Sequence, residues 1–146
     1  MIKNIETNMK WKGEDCIIKG RNTSKKSVLE YGIIVESQAA ALSPVKIGRL
    51  RGSIVTQTKS ELHTGKDFGK SFPEDIIKKP TDDTETRDVA LVGTDVKYAN
   101  YVEYGTKHQS AQPYMRPAID LTQGKSLTVF RNNGRQEFKE YFKEKA

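Results

Sequence analysis

Thiols, imidazoles and long apolar runs are what this sequence has least of. Cys16 is the single cysteine, which excludes an internal disulfide and any multi-thiolate metal site; it reads as a small buried hydrophobe, and a cytoplasmic origin fits. His63 and His108 are the two histidines, weak material for a metal site. No stretch reaches the ~18–20 apolar residues that a bilayer-spanning helix needs, so no membrane association is expected. The opening MIKNIETNMKWKG has no apolar signal core, so export is not indicated. Neither a Gly-x-Ser-x-Gly elbow nor a phosphate-binding Gly-x4-Gly-Lys-Ser/Thr loop occurs. Thr64-Gly65-Lys66 is a fragment of the latter without its leading glycine and hydroxyl.

What is present describes a wet globular chain. Its 146 residues, 35% hydrophobic and 30% charged with mean hydropathy −0.70, suit one domain over residues 1–146 with a modest core. The net charge of +6 permits contact with a polyanion without identifying one. Basic residues are spread along the chain, and the last group (Lys139, Lys143, Lys145) interleaves with Glu137, Glu140 and Glu144, as on a solvated surface.

The periodicities predict an α+β fold: a long N-terminal helix packed on a small antiparallel sheet, with a further helix near the C-terminus. Met9 and Trp11 alternate as in a short strand before a turn or helix start at Gly13. Val28, Gly32, Val35, Ala39 and Leu42, widened by Leu29, Ile33 and Ala40, form an apolar stripe that predicts a helix over residues 23–42. Asn22, Thr23 or Ser24 would cap it, Pro44 would stop it, and its small residues would let another element approach closely. Strands are expected over 53–62 and 88–96, the latter with Val89, Leu91 and Gly93 on one face. Between them, residues 63–88 form an extended loop or hairpin, too long for an ordinary turn. Phe68, Phe72, Ile76 and Ile77 are its candidate anchors to a neighbouring subunit. After Pro117 the chain starts helical, with Gly124 and the Asn132-Asn133-Gly134 turn signal as interruptions. A mobile segment from about 132 to 146 would carry Phe138, Tyr141 and Phe142 to the body or to a neighbour.

Chemistry is hard to build from these residues. Glu61 and His63 would share one side of a strand, but two ligands do not make a metal site. Asp82, Asp83 and Glu85 read as a charged loop tip. The reading is therefore of a non-enzyme without cofactor, catalytic or metal residues.

Three blocks in fixed order carry more information: SPVKIGRLRGSI, VGTDVKYANYVEYGT and AQPYMRPAI. Together they resemble the tail-completion, or head–tail joining, proteins of tailed bacteriophages (minor tail proteins of lambda-like phages). That family has Ala-Pro-Val, Asp-Thr-Gly-x-Leu-Arg-x-Ser-Ile, Val-Gly-Thr, Tyr-Ala-x-Tyr-Val-Glu-Phe/Tyr-Gly-Thr and Pro-Phe-Leu-Arg-Pro-Ala in succession. Pro44, Val45, Gly48, Leu50, Arg51, Ser53 and Ile54 match the first block. Val92, Gly93, Tyr98, Ala99, Tyr101, Val102, Glu103, Tyr104, Gly105 and Thr106 match the second, and Pro113, Arg116, Pro117 and Ala118 the third. Trp11-Lys12-Gly13 is similar to the family's Trp-Asn-Gly opening. The resemblance covers roughly residues 10–120. Lys46-Ile47 departs from the family's Asp-Thr, and Tyr114-Met115 replaces Phe-Leu.

The resemblance implies a virion structural protein at the neck, assembled in the bacterial host cytoplasm as a ring, six copies being the expected number. Its partners would be copies of itself, the head-closure or connector protein, and the tail terminator or tail tube. Arg49 and Arg51 would face the lumen, where weak contact with packaged DNA is useful. The alternative is a nucleic-acid-binding accessory protein. The motif residues also read as scaffold. Tyr98, Tyr101 and Val102 would share one apolar face of a short helix, Gly105 would end it with a left-handed backbone, and Pro113 and Pro117 would stiffen the approach to the last helix. Glu103, if buried, needs a partner: Arg116, Arg49 or Arg51.

Overall fold

The computed structural model describes residues 13–44, 48–58 and 88–144. In order they form α1 (Gly13–Leu42), α2 (Arg49–Ser53), β1 (Val55–Thr58), β2 (Ala90–Gly93), α3 (Ala99–Tyr104) and α4 (Met115–Glu144). This is the expected α+β architecture. The strand proposed around Met9 and Trp11, the anchors Phe68, Phe72, Ile76 and Ile77, the Glu61–His63 pair and the acidic tip all lie outside the described residues. No helix among the described residues is long and apolar enough to cross a membrane.

α1 and α4 are each 30 residues long, about 45 Å at 1.5 Å per residue, and they are the principal packing partners in the molecule. They run antiparallel: Lys19 meets Glu137, Ser27 meets Asn133, and Ala39 shares a core with Ala118. Both helices extend past the expected breaks. α1 begins ten residues before the expected start at 23, because nothing between Gly13 and Asn22 forbids helix and Glu14 and Asp15 favour its positive end. Its proposed caps are interior residues. The Thr23 hydroxyl donates back to the Lys19 carbonyl at 2.9 Å, and Ser27 does the same to Thr23 at 2.7 Å. At the other end the Ser43 N–H and hydroxyl close onto the Ala39 and Ala40 carbonyls, and Pro44 follows, as expected.

α4 runs unbroken through Gly124 and through Asn132-Asn133-Gly134. The turn signal is overridden by tertiary contact. Asn133 is buried, and its amide donates to the Ser27 hydroxyl (3.2 Å) and to the Glu30 carboxylate (2.7 Å). Residues 132–144 are thus part of a helix docked on the body. Tyr141 is buried there, with the Lys19 ammonium 5.6 Å from its ring centre and the Phe142 ring edge-on at 5.5 Å. Phe138 is half-buried, while Phe142 remains 65% exposed.

The two strands pair antiparallel in the register Val55↔Gly93 to Thr58↔Ala90. β2 is shorter than the alternation predicted, and β1 starts at Val55 rather than at 53, with residues 59–62 of that expected strand outside the described residues. A two-stranded sheet is marginal in water, and α1 supplies its missing face. At Gly32 the helix comes so close that a Cβ would lie 2.5 Å from the Thr56 methyl and 3.3 Å from the Ala90 Cβ. Val92 packs into the core and Ala90 faces Gly32 of α1, whereas Val89, just before β2, is 55% exposed, so the inward face of the strand is that of Ala90 and Val92 and not that of Val89 and Leu91. Cys16 lies exposed on the first turns of α1, not in the core, because the stripe that packs on the body starts further along the helix.

Candidate functional site

The three sequence blocks meet at one end of the helical pair. α2 carries the first block. Gly48, at φ +33°, caps it in a left-handed conformation, and the Gly52 N–H returns to the Gly48 carbonyl at 3.0 Å. This turns Leu50 into the core and leaves Arg49 and Arg51 exposed on either side. The Ser53 hydroxyl then donates to the Leu50 carbonyl and lies 2.5 Å from the Thr94 hydroxyl, so the first block is bonded to the turn after β2.

α3 carries the second block. Ala99, Val102 and Glu103 are buried, and Tyr98 packs against the same core from the helix start. Tyr101 does not join that face. It is 61% exposed, because the 100° step of a helix places it opposite Ala99 and Val102 once those two point inward. Gly105 ends the helix at φ +79°, ψ 178°, donating its N–H to the Tyr101 carbonyl at 2.9 Å. The expected positive φ is there, in an extended region open to glycine rather than in the left-handed helical basin. The space matters as much as the angle, since a Cβ would stand 2.8 Å from the Ala111 nitrogen and 2.9 Å from the Gln109 carbonyl. The chain turns at Thr106–Gln109 and returns over Gly105, and the Gln112 N–H donates to the Val102 carbonyl at 2.8 Å. It thereby delivers the third block to the side of α3.

Glu103 joins the second block to the third. Its carboxylate accepts the backbone N–H groups of Tyr114 (2.8 Å), Met115 (3.0 Å) and Arg116 (3.2 Å), and Nε of Arg116 at 3.3 Å. These are the amides that a helix start leaves without partners, and the next position is Pro117, which has no N–H to satisfy. Intrahelical bonding then begins, with the Ala118 N–H donating to the Tyr114 carbonyl at 3.2 Å. One buried side chain from a different helix therefore supplies the whole N-terminal cap of α4. Burial pushes the Glu103 carboxyl upward, but the hydrogen bonds from Met115, Tyr114 and Arg116 outweigh it and hold the group below its ordinary value. The Tyr114 phenol is pushed upward, first by burial and then by the Glu103 charge, so it stays neutral. Of the three arginines considered as partners, Arg116 is the one the structure provides. Its guanidinium also covers the exposed Tyr104 ring, 4.8 Å from the centroid.

Leu50 and Ile54, Ala99 and Val102, and Tyr114 and Ala118 contribute one pair per block to a single core with Ala39. Beside it opens a groove of about 500 Å³, edged by Lys97, Asn100, Tyr104 and Arg116. Glu103 lines it too, yet a carboxylate saturated with donors and held below its usual range is a poor proton acceptor near neutral pH. Among the described residues no three His, Cys, Asp or Glu side chains stand close enough to hold a metal ion. The Ser53–Thr94 bond and the Tyr104–Arg116 stack had no signal in the sequence beyond membership of the blocks. No family model, curated protein or solved structure matches this chain.

Proposed function

We propose that this chain is a virion structural protein of a tailed phage, forming a ring in the neck that joins the head connector to the tail. The observation that supports this is the convergence of the three blocks. Glu103 holds the third block and Thr94 the first, so the three blocks build one module and present one shared surface. The module they build has a core drawn from all three blocks together with Ala39, and an outward face bearing Tyr101, Tyr104 and Arg116. Exposed tyrosines and arginine are the side chains enriched where proteins meet. In this reading the groups that act are surfaces presented to neighbouring subunits and to the connector and tail proteins, and no bond-making chemistry is assigned.

Electron microscopy of lysates from a phage with an early stop codon in this gene tests the reading. DNA-filled heads beside unattached tails are expected. Normal infectious particles would overturn it, and empty heads with leaked DNA would move the protein from joining to head closure.

A further inference from the structure

α4 sorts its charges by side, which the linear sequence conceals. Lys139 and Lys143 alternate with Glu137 and Glu140 along the chain, as charges do on a generic solvated surface. On a continuous helix they separate. At about 100° per residue, Lys125, Arg131, Arg135, Lys139 and Lys143 fall within one arc of about 120°. Glu137 and Glu140 fall on the other side, and Glu137 there meets Lys19 of α1 at 3.9 Å. The arc holds eight positions between 125 and 143: those five cations, Thr128, Asn132 and Phe142. All eight are exposed, and no acid is among them.

Two ordinary explanations fall short. A basic residue in the last turn answers the negative end of the helix dipole, but that effect decays within one turn and accounts for Lys143 alone. Ion pairing along the helix needs acids three or four residues from each base, and Lys143 alone has one, in Glu140; Lys125, Arg131, Arg135 and Lys139 have none at that spacing.

We infer that this face of α4 is a contact surface for the phosphate backbone of nucleic acid, with duplex DNA as its partner, bound without regard to sequence. Seven of the eight side chains are Lys, Arg, Thr or Asn, the types that donate hydrogen bonds to phosphate oxygens. The stripe extends about 27 Å along the helix, long enough to follow several phosphates. A protein partner fits less well, because interface centres are depleted in lysine and rich in apolar anchors, and here Phe142 alone is apolar. A bilayer surface fits less well because the opposite side of α4, with Val129, Asn133 and Tyr141, is buried and cannot insert. The inference also moves the DNA-facing surface from Arg49 and Arg51 to α4. It stands apart from the neck reading, since a joint that never touches DNA and a DNA-contacting helix are measured separately.

The test is fluorescence anisotropy of the whole protein with a labelled duplex of arbitrary sequence, between about 50 and 200 mM salt. Log affinity should fall linearly with log salt, with a slope up to about −4.5 if all five cations engage at about 0.9 each. Replacing Arg131, Arg135 and Lys139 together by Gln should cut that slope by about 2–3 while circular dichroism and melting stay unchanged, because all three are exposed. The pair Arg49→Gln and Arg51→Gln should leave it within about 1. No binding at the lowest salt, an unchanged slope in the triple variant, or an equal loss in the Arg49/Arg51 pair would overturn the inference. Binding to phosphatidylserine vesicles with no binding to duplex would overturn it in favour of a membrane surface.

Discussion

The Glu103 carboxylate accepts the Tyr114 backbone N–H at 2.8 Å, and that bond joins the inner face of α3 to the first residue before α4. Two further amides and the Arg116 side chain share the same two oxygens. The backbone contacts outweigh the ion pair, because Glu103 is buried whereas the Arg116 side chain is 62% exposed and screened by water. Glu103→Gln removes the charge and turns an amide donor toward N–H groups, so it should cost about 2–4 kcal/mol by urea unfolding. Arg116→Met should cost about 1 kcal/mol or less. Equal losses would mean that the ion pair, not the helix cap, holds the joint.

The same carboxylate sets a pH dependence. Its folded-state pKa lies below the ordinary 4.5, so its contribution is fully present above 4.5 and is lost as pH falls through the lower folded value. The stability gap between the native chain and Glu103→Gln should therefore be constant from pH 7 to about 5 and close in more acid solution. A gap that widens on acidification would contradict the direction of the shift.

Gly32 and Gly124 are both helical glycines with opposite surroundings. Gly32→Ala drives a methyl to within 2.5 Å of a fully buried threonine and should destabilise by about 1–3 kcal/mol. Gly124→Ala meets nothing within 4 Å and should stabilise by about 0.5–1 kcal/mol through lower backbone entropy. Thermal melting of the two variants should move in opposite directions.

Asn133 fixes the alignment of the long helices. Asn133→Ala removes both amide bonds to α1 and leaves the buried Ser27 hydroxyl with its Thr23 bond alone, so it should cost about 1–2 kcal/mol by urea unfolding. A double-mutant cycle with Glu30→Ala should return a smaller coupling of about 0.5–1 kcal/mol, since Glu30 is exposed. Zero coupling would show that the 2.7 Å contact contributes no stability.

Tyr101 separates folding from assembly. Tyr101→Ser should leave stability within about 0.5 kcal/mol, because the ring is mostly in water. In the proposed neck ring it should nevertheless lower the yield of joined particles, scored by counting free heads and tails in micrographs. Normal joining would remove α3 from the interface.

The sequence was legible wherever a residue's role is local or periodic. Gly32, Val35 and Ala39 gave the buried stripe of α1, Pro44 its end, and Gly105 its positive φ. It was least legible where a distant residue decides. Asn132-Asn133-Gly134 is a turn signal by composition, and what overrides it is packing on α1, where the Ser27 and Glu30 side chains, more than 100 positions earlier, take the Asn133 amide. Breaking α4 there hid the basic stripe, because charges on 125, 131, 135, 139 and 143 share a side only on one uninterrupted helix. A buried Glu103 needs a partner on general grounds, and Arg116 is a candidate visible in the sequence. The three backbone N–H groups were not foreseeable from spacing, since they depend on the chain turning back over Gly105.

Helix beginnings usually attract anions from outside, because their amides point at nothing and the dipole is positive there. At α4 that seat is taken by the chain's own carboxylate, and proline removes one of the amides altogether. A phosphate approaching this end finds no free donor from the backbone, and the one cation there, Arg116, is already paired with the Glu103 carboxylate. Any attraction that α4 exerts on a polyanion must then come from the flank and not from the tip. A strand of nucleic acid would therefore lie along the rod, not abut its end.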